Sequence, residues 1–159
     1  MVQPRDLIAT ARASANQPTA RKPRQSDLKR ALSTAYYAMF HAMCRNCADC
    51  LIGTASADRS KPAWVQAYRA IEHGFAKSQC LNRQVMSRFP RDIEDFANHF
   101  VDLQIERHRA DYDPHARFTR SDVTTAIDTA EAAITAFFAE PIKDRRAFAA
   151  WVTLRNRTP

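Results

Sequence analysis

The chain has 159 residues, a formal net charge of +7 and only two glycines, Gly53 and Gly74. A G-x-G-x-x-G dinucleotide loop needs three neighbouring glycines and a P-loop needs two within six residues, so neither can be written here. So little glycine also disfavours sandwiches and barrels, whose tight turns use positive φ, while 28 alanines and 45% hydrophobic residues suit one folded, helix-rich domain.

The charge is segregated. Residues 1–30 carry seven Lys/Arg against two Asp/Glu, and residues 141–159 carry five against one. The stretch between has twelve against fourteen, so the surplus sits at the two ends of a slightly acidic middle. A basic protein suggests a nucleic-acid partner. No run of 18 apolar residues predicts a membrane span, and the start lacks the apolar core of a signal peptide. The expected location is cytoplasmic, with reduced cysteines.

In chain order, periodicity predicts five to six helices and no strand. The first covers Pro4 to Ala15. Pro18 and Pro23 bracket a basic linker, Thr19 to Arg24. Ser26 is the expected N-cap of a long second helix reaching Leu51, with Gly53 as its stop. A polar loop follows over 54–62. A third helix begins near Pro62, and Trp64, Tyr68, Ile71 and Phe75 repeat along it as one apolar stripe. Residues 77–90 are ambiguous, with a short helix ending before Pro90 as one reading.

The fourth helix runs from Arg91 to Tyr112, ahead of Pro114, with Ile93, Phe96, Phe100 and Leu103 as its stripe. The fifth runs from Ser121 to Ala139, with Val123, Ile127, Ala130, Ile134 and Phe137. A basic last helix over Lys143 to Leu154 carries Phe148 and Trp151. The expected architecture is an all-α, antiparallel helical bundle. It divides into a basic N-terminal helix and linker (1–25), a bundle (26–140) and a basic C-terminal helix or tail (141–159).

Polar residues on apolar faces are the candidates for function. Arg107 falls within about 20° of the centre of the face set by Phe96, Phe100 and Leu103, and Asp111 follows one turn on. An inward guanidinium needs a partner, so the pair is either a register-fixing ion pair or a phosphate-binding or catalytic group. Arg109 points to solvent, and His115 falls in a loop past the helix end. The second helix has Leu32, Tyr36, Met39, Phe40, Met43 and Cys47 on its core face. Arg30, Thr34, Tyr37 and His41 line one flank, beside the small residues Ala31, Ala38 and Ala42. That flank suits an interhelix cleft, a dimer seam or a solvated side with one buried tyrosine.

His41, Cys44, Cys47 and Cys50 recur every third residue, which superficially suggests a metal site. Each three-residue step turns a helix by about −60°, so the four cannot converge on one ion. Cys47, with Cys50 as a further candidate, is expected to be a core cysteine, with no metal and no cofactor.

Two segments are recognisable together. Ala31 to Ala42 reads ALSTAYYAMFHA and Arg107 to Tyr112 reads RHRADY. About residues 26–140 resemble the HEPN (higher eukaryotes and prokaryotes nucleotide-binding) family, in particular small prokaryotic members with A-Y-Y-A-x-F-H-A and R-x-x-A-D-Y. The resemblance implies a bundle of four or five helices and a homodimer. It also implies a toxin or defence component, active as a metal-independent endoribonuclease or, in other members, a non-catalytic module binding RNA, nucleotide or a partner protein. Some members pair with a minimal nucleotidyltransferase antitoxin.

Family nucleases carry R-x(4–6)-H, a spacing met by Arg109 and His115, whereas the arginine of R-x-x-A-D-Y is Arg107. Asp113 and Pro114 inside that spacing depart from the nuclease form. The implied catalytic set is Arg107, Arg109, Asp111, Tyr112 and His115. Arg30, Tyr37 and His41 are the implied RNA or nucleotide contacts.

Overall fold

In the computed structural model, which describes residues 1–17, 22–55 and 57–155, helices account for 77% of the described residues and no strand occurs among them. They are α1 (Pro4–Ala15), α2 (Gln25–Ile52), α3 (Lys61–Arg69), α4 (His73–Cys80), α5 (Arg83–Met86), α6 (Arg91–Tyr112), α7 (Arg120–Ala139) and α8 (Ile142–Thr153). Eight described helices exceed the five to six expected, and the surplus lies in 61–86. The supposed single stripe of Trp64, Tyr68, Ile71 and Phe75 is split: the chain leaves the helix after Arg69 and starts a new one at His73. Much of the predicted basic linker, Thr19 to Arg21, lies outside the described residues.

The long α2 is the axis of the fold and packs on α1, α3, α6, α7 and α8. A helix covered on most sides cannot keep a single narrow stripe, and α2 buries Leu28, Leu32, Tyr36, Met39 and Met43 together with Cys44, Cys47 and Cys50. Its start is not capped by Ser26, as the sequence suggests. The cap residue is Arg24, with no side-chain bond. Gln25 instead clamps the distant backbone of Phe118, donating to its carbonyl at 2.9 Å and accepting from its N–H at 2.9 Å. At the other end Gly53 adopts φ +117°, a conformation that side chains strain to reach.

α6 runs antiparallel to α2: Lys29 donates to the carbonyl of Asp113 at 3.0 Å, and further along Tyr36 stacks on Phe100. The α6 helix ends at Tyr112 because Pro114 forces Asp113 into an extended conformation. A Thr119–Asp122 capping box then starts α7. Phe96, at the start of α6, stacks at 4.4 Å on Phe137 near the end of α7, so these two helices are also antiparallel.

The basic ends join the same core. α1 buries Ile8, Ala11 and Ala15, and Arg12 pairs with Asp128 and Glu131 of α7. α8 buries Phe148, Ala149 and Val152, with Phe148 edge-on to Phe96 and Phe137. Asn46, the one buried polar residue among those described, exchanges hydrogen bonds with Arg145 and so fixes α8 against α2. Among the described residues no helix is long and apolar enough to cross a membrane.

Candidate functional site

Four helices bring polar and aromatic groups to one face of α2. α2 supplies Tyr36, Tyr37, Phe40 and His41, α3 supplies Tyr68, and the first residue of α4 is His73. α6 supplies Gln104, Arg107 and Asp111 at successive turns. Helical spacing alone puts these three α6 residues on one side.

Arg107 is the charged centre, its side chain 23% exposed. Its Nε lies 2.7 Å from an Asp111 carboxylate oxygen, but the N–H is not aimed along that line. The charges are therefore paired while the Nε–H has no hydrogen-bond partner in the protein. One terminal nitrogen donates to the Tyr37 hydroxyl at 3.2 Å. The guanidinium carbon lies 5.4 Å from the ring centre of Tyr37 and 5.7 Å from that of Tyr36. A guanidinium has five N–H donors, so most remain free for an anion. One turn back, buried Gln104 Oε1 is also unpartnered, while its amide nitrogen donates to the His73 carbonyl at 3.4 Å. Among the described residues these are the only two such buried side-chain atoms. Unsatisfied buried polar atoms are uncommon, so the Gln104 oxygen one turn from the Arg107–Asp111 pair sets this helix face apart from ordinary packing.

The two histidines flank this centre. His73 stacks on Phe40 with ring centres 3.7 Å apart, and its Nδ1 shares a 2.5 Å hydrogen bond with the Tyr36 hydroxyl. His41 shares one of 2.5 Å between Nδ1 and the Tyr68 hydroxyl. Burial holds His41 below the ordinary imidazole pKa; His73 is lowered by burial and then by the charges of Arg107 and His41. Burial raises the Tyr36 phenol and pushes Tyr68 up to about 12. At neutral pH the rings are thus neutral and the phenols protonated. When His41 donates from Nδ1 to Tyr68, its Nε2 is left as a proton acceptor.

Of the residues singled out in the sequence, Arg107, Asp111, Tyr37 and His41 meet here. The others do not. Arg109 is exposed and bound to Glu106 at 2.9 Å, beside the Phe118 ring. His115 is exposed in the loop after α6, where its backbone N–H donates to Asp113 Oδ1 at 2.8 Å. Tyr112 is 67% exposed and packs on His108, and Arg30 is exposed. His73 and Gln104 escaped the sequence reading, and Tyr68 was read only as part of an apolar stripe. The polar Glu72–His73–Gly74 step interrupting an apolar stripe was the available signal for the first.

Cys44, Cys47 and Cys50 are buried, and burial pushes the thiols of Cys44 and Cys47 up to about 12, so they stay protonated. Among the described residues no three His, Cys, Asp or Glu side chains group as metal ligands. No protein-family model, curated protein or solved structure matches the chain.

Proposed function

We propose that the protein is a HEPN-type, RNA-directed component of a toxin–antitoxin or defence system, and that it cleaves RNA without a metal ion. One observation carries this. The two segments that resemble the family, ALSTAYYAMFHA on α2 and RHRADY on α6, lie about 65 residues apart in sequence and meet in space through the Arg107–Tyr37 contact.

Arg107 binds the scissile phosphate and offsets charge that develops on it. His41, neutral and with Nε2 free in one tautomer, accepts the proton of a ribose 2′-OH. That oxygen attacks the adjacent phosphorus, a 2′,3′-cyclic phosphate forms as the P–O5′ bond breaks, and the departing 5′-oxygen takes a proton from water. DNA lacks the 2′-OH and resists this route. A homodimer would place two such arginines near one strand, and a minimal nucleotidyltransferase antitoxin is the partner the resemblance suggests.

The test is induced expression together with purified protein on mixed RNA in excess chelator. The expected result is growth arrest and cyclic-phosphate ends, both lost in Arg107→Ala. Intact RNA and harmless expression would refute cleavage. A second function, a non-catalytic module binding RNA or nucleotide, is favoured by one feature: His115 stands apart from Arg107 on the exposed loop. In that case RNA raises the melting temperature of wild-type protein but is not cut.

A further inference from the structure

A groove of about 480 Å³ opens beside α3. This is the size range of sites that hold one small ligand. Met1, Trp64, Val65 and Tyr68 form its largely apolar wall, and Arg59, Lys61 and Arg69 stand around it. Trp64 and Tyr68 stack at 5.2 Å, and the Arg59 guanidinium lies 4.8 Å from the Trp64 ring centre. Asp49, bonded to Trp64, is already engaged: it accepts from Trp64 Nε1 at 2.9 Å and pairs with Arg59 and Arg45. Among the described residues Lys61 and Arg69 have no ion-pair partner, and both are exposed.

A chain of ring contacts links the groove wall to the Arg107 site. Tyr68 is both groove wall and the hydrogen-bond partner of His41, its ring 5.9 Å from the imidazole. His41 lies 6.4 Å from the Tyr37 ring, which Arg107 covers. A row of aromatic rings thus links Arg59 to Arg107; where such rings and cations reach the surface they hold single-stranded nucleic acid by stacking and charge.

Building on the RNA-directed function above, we propose that this groove seats a nucleobase whose phosphates meet Lys61 and Arg69, while a phosphate further along the strand meets Arg107. An apolar slot with unpaired cations at its rim selects a planar apolar group that carries negative charge. A base joined to phosphate is such a group, whether it belongs to an RNA strand or to a free nucleotide.

The experiment uses the full chain carrying Trp151→Phe, which leaves Trp64 as the only tryptophan. Its emission is titrated with a short 2′-O-methyl oligoadenylate (which cannot be cleaved), with AMP and with decanoate. The oligonucleotide should change the emission, with affinity about 10-fold weaker in Val65→Glu, in Lys61→Glu and in Arg107→Ala, since each base stacked is worth about 1–3 kcal/mol. Both groove positions are exposed, and unchanged melting curves would establish that the variants fold. If AMP acts as strongly and Arg107→Ala changes nothing, the groove stands as a free-nucleotide site and the RNA-directed function falls. Wild-type oligonucleotide affinity in both folded groove variants, with loss only in Arg107→Ala, overturns the groove and leaves that function intact. An emission change with decanoate alone, or with no ligand, also overturns it.

Discussion

Arg107 and Arg109 are two residues apart on α6 and live in opposite surroundings. The Arg107 side chain is 23% exposed, packed over two tyrosines and paired with Asp111. The Arg109 side chain is 50% exposed and bound to Glu106 on the preceding turn. A two-residue step turns a helix by about 200°, so one arginine faces the α2 aromatic row and the other the surface near the 113–119 loop. A charge spent on a neighbouring surface carboxylate contributes little to stability or recognition. A half-buried one with free donors can bind an anion strongly. The two environments, rather than motif spacing, rank the two arginines.

The largest expected difference between the regions is structural. Tyr36 is fully buried, stacks on Phe100 and bonds to His73. Tyr36→Ala should cost about 3–5 kcal/mol, as large aromatic truncations in cores do. Tyr112→Ala, at the exposed end of α6, should stay within about 0.5 kcal/mol. Urea unfolding of the two variants measures both. Equal losses would mean that the α2–α6 face is not the rigid part of the site.

Next in size is the effect on RNA. Arg107→Ala should lower cleavage by roughly 100-fold or more, the scale of losing a charge-stabilising donor. Arg107→Lys keeps the charge but loses the planar fork, and should recover only part of the activity. Arg109→Ala should fall within a few-fold of wild type. Initial rates on one RNA at fixed salt would order the three, and a full rescue by lysine would remove the fork from the mechanism.

The pH dependence isolates the histidines. His41 and His73 are both held below the ordinary value of 6.5. For a depressed imidazole the unfolded chain binds more protons than the folded one across the interval between the two pKa values. Stability should therefore fall as pH drops below about 6.5 and through the lowered folded values. Melting temperatures between pH 7.5 and 5 should show this slope, and His73→Gln should flatten it. An unchanged slope would mean that His73 is not neutral in the fold.

Much of the fold was legible because prolines and caps punctuate it. Pro4–Ala15 and Arg91–Tyr112 match their expected limits, since Pro4 suits a first turn and Pro114 stops α6. The inward direction of Arg107 was legible for the same reason: helix phase carries across a long uninterrupted helix. Residues 61–86 were not. An apolar repeat continues in register across a chain reversal, and nothing in its spacing records that the axis has turned. The turn is held by tertiary contacts, the burial of Ile71 and the stacking of His73 on Phe40. His73 was therefore invisible as a site residue, although it contacts three of the α2 aromatics. Ser26 failed as a cap for a related reason, because Gln25 anchors the start of α2 to Phe118.

The smallest expected effect tests the comparison most directly. Counting residues along the chain joins Arg109 to His115, but that count crosses the end of α6 and an extended Asp113. His115 has no side-chain hydrogen bond among the described residues and is exposed, so His115→Ala should leave stability within about 0.5 kcal/mol. Within one protomer it should also leave cleavage close to wild type, whereas His41→Ala should abolish it. A loss in His115→Ala as deep as in Arg107→Ala, with unchanged melting, would move the chemistry to the outer end of α6. The loops of two copies would then have to supply the proton acceptor, and Arg107 would keep only the strand.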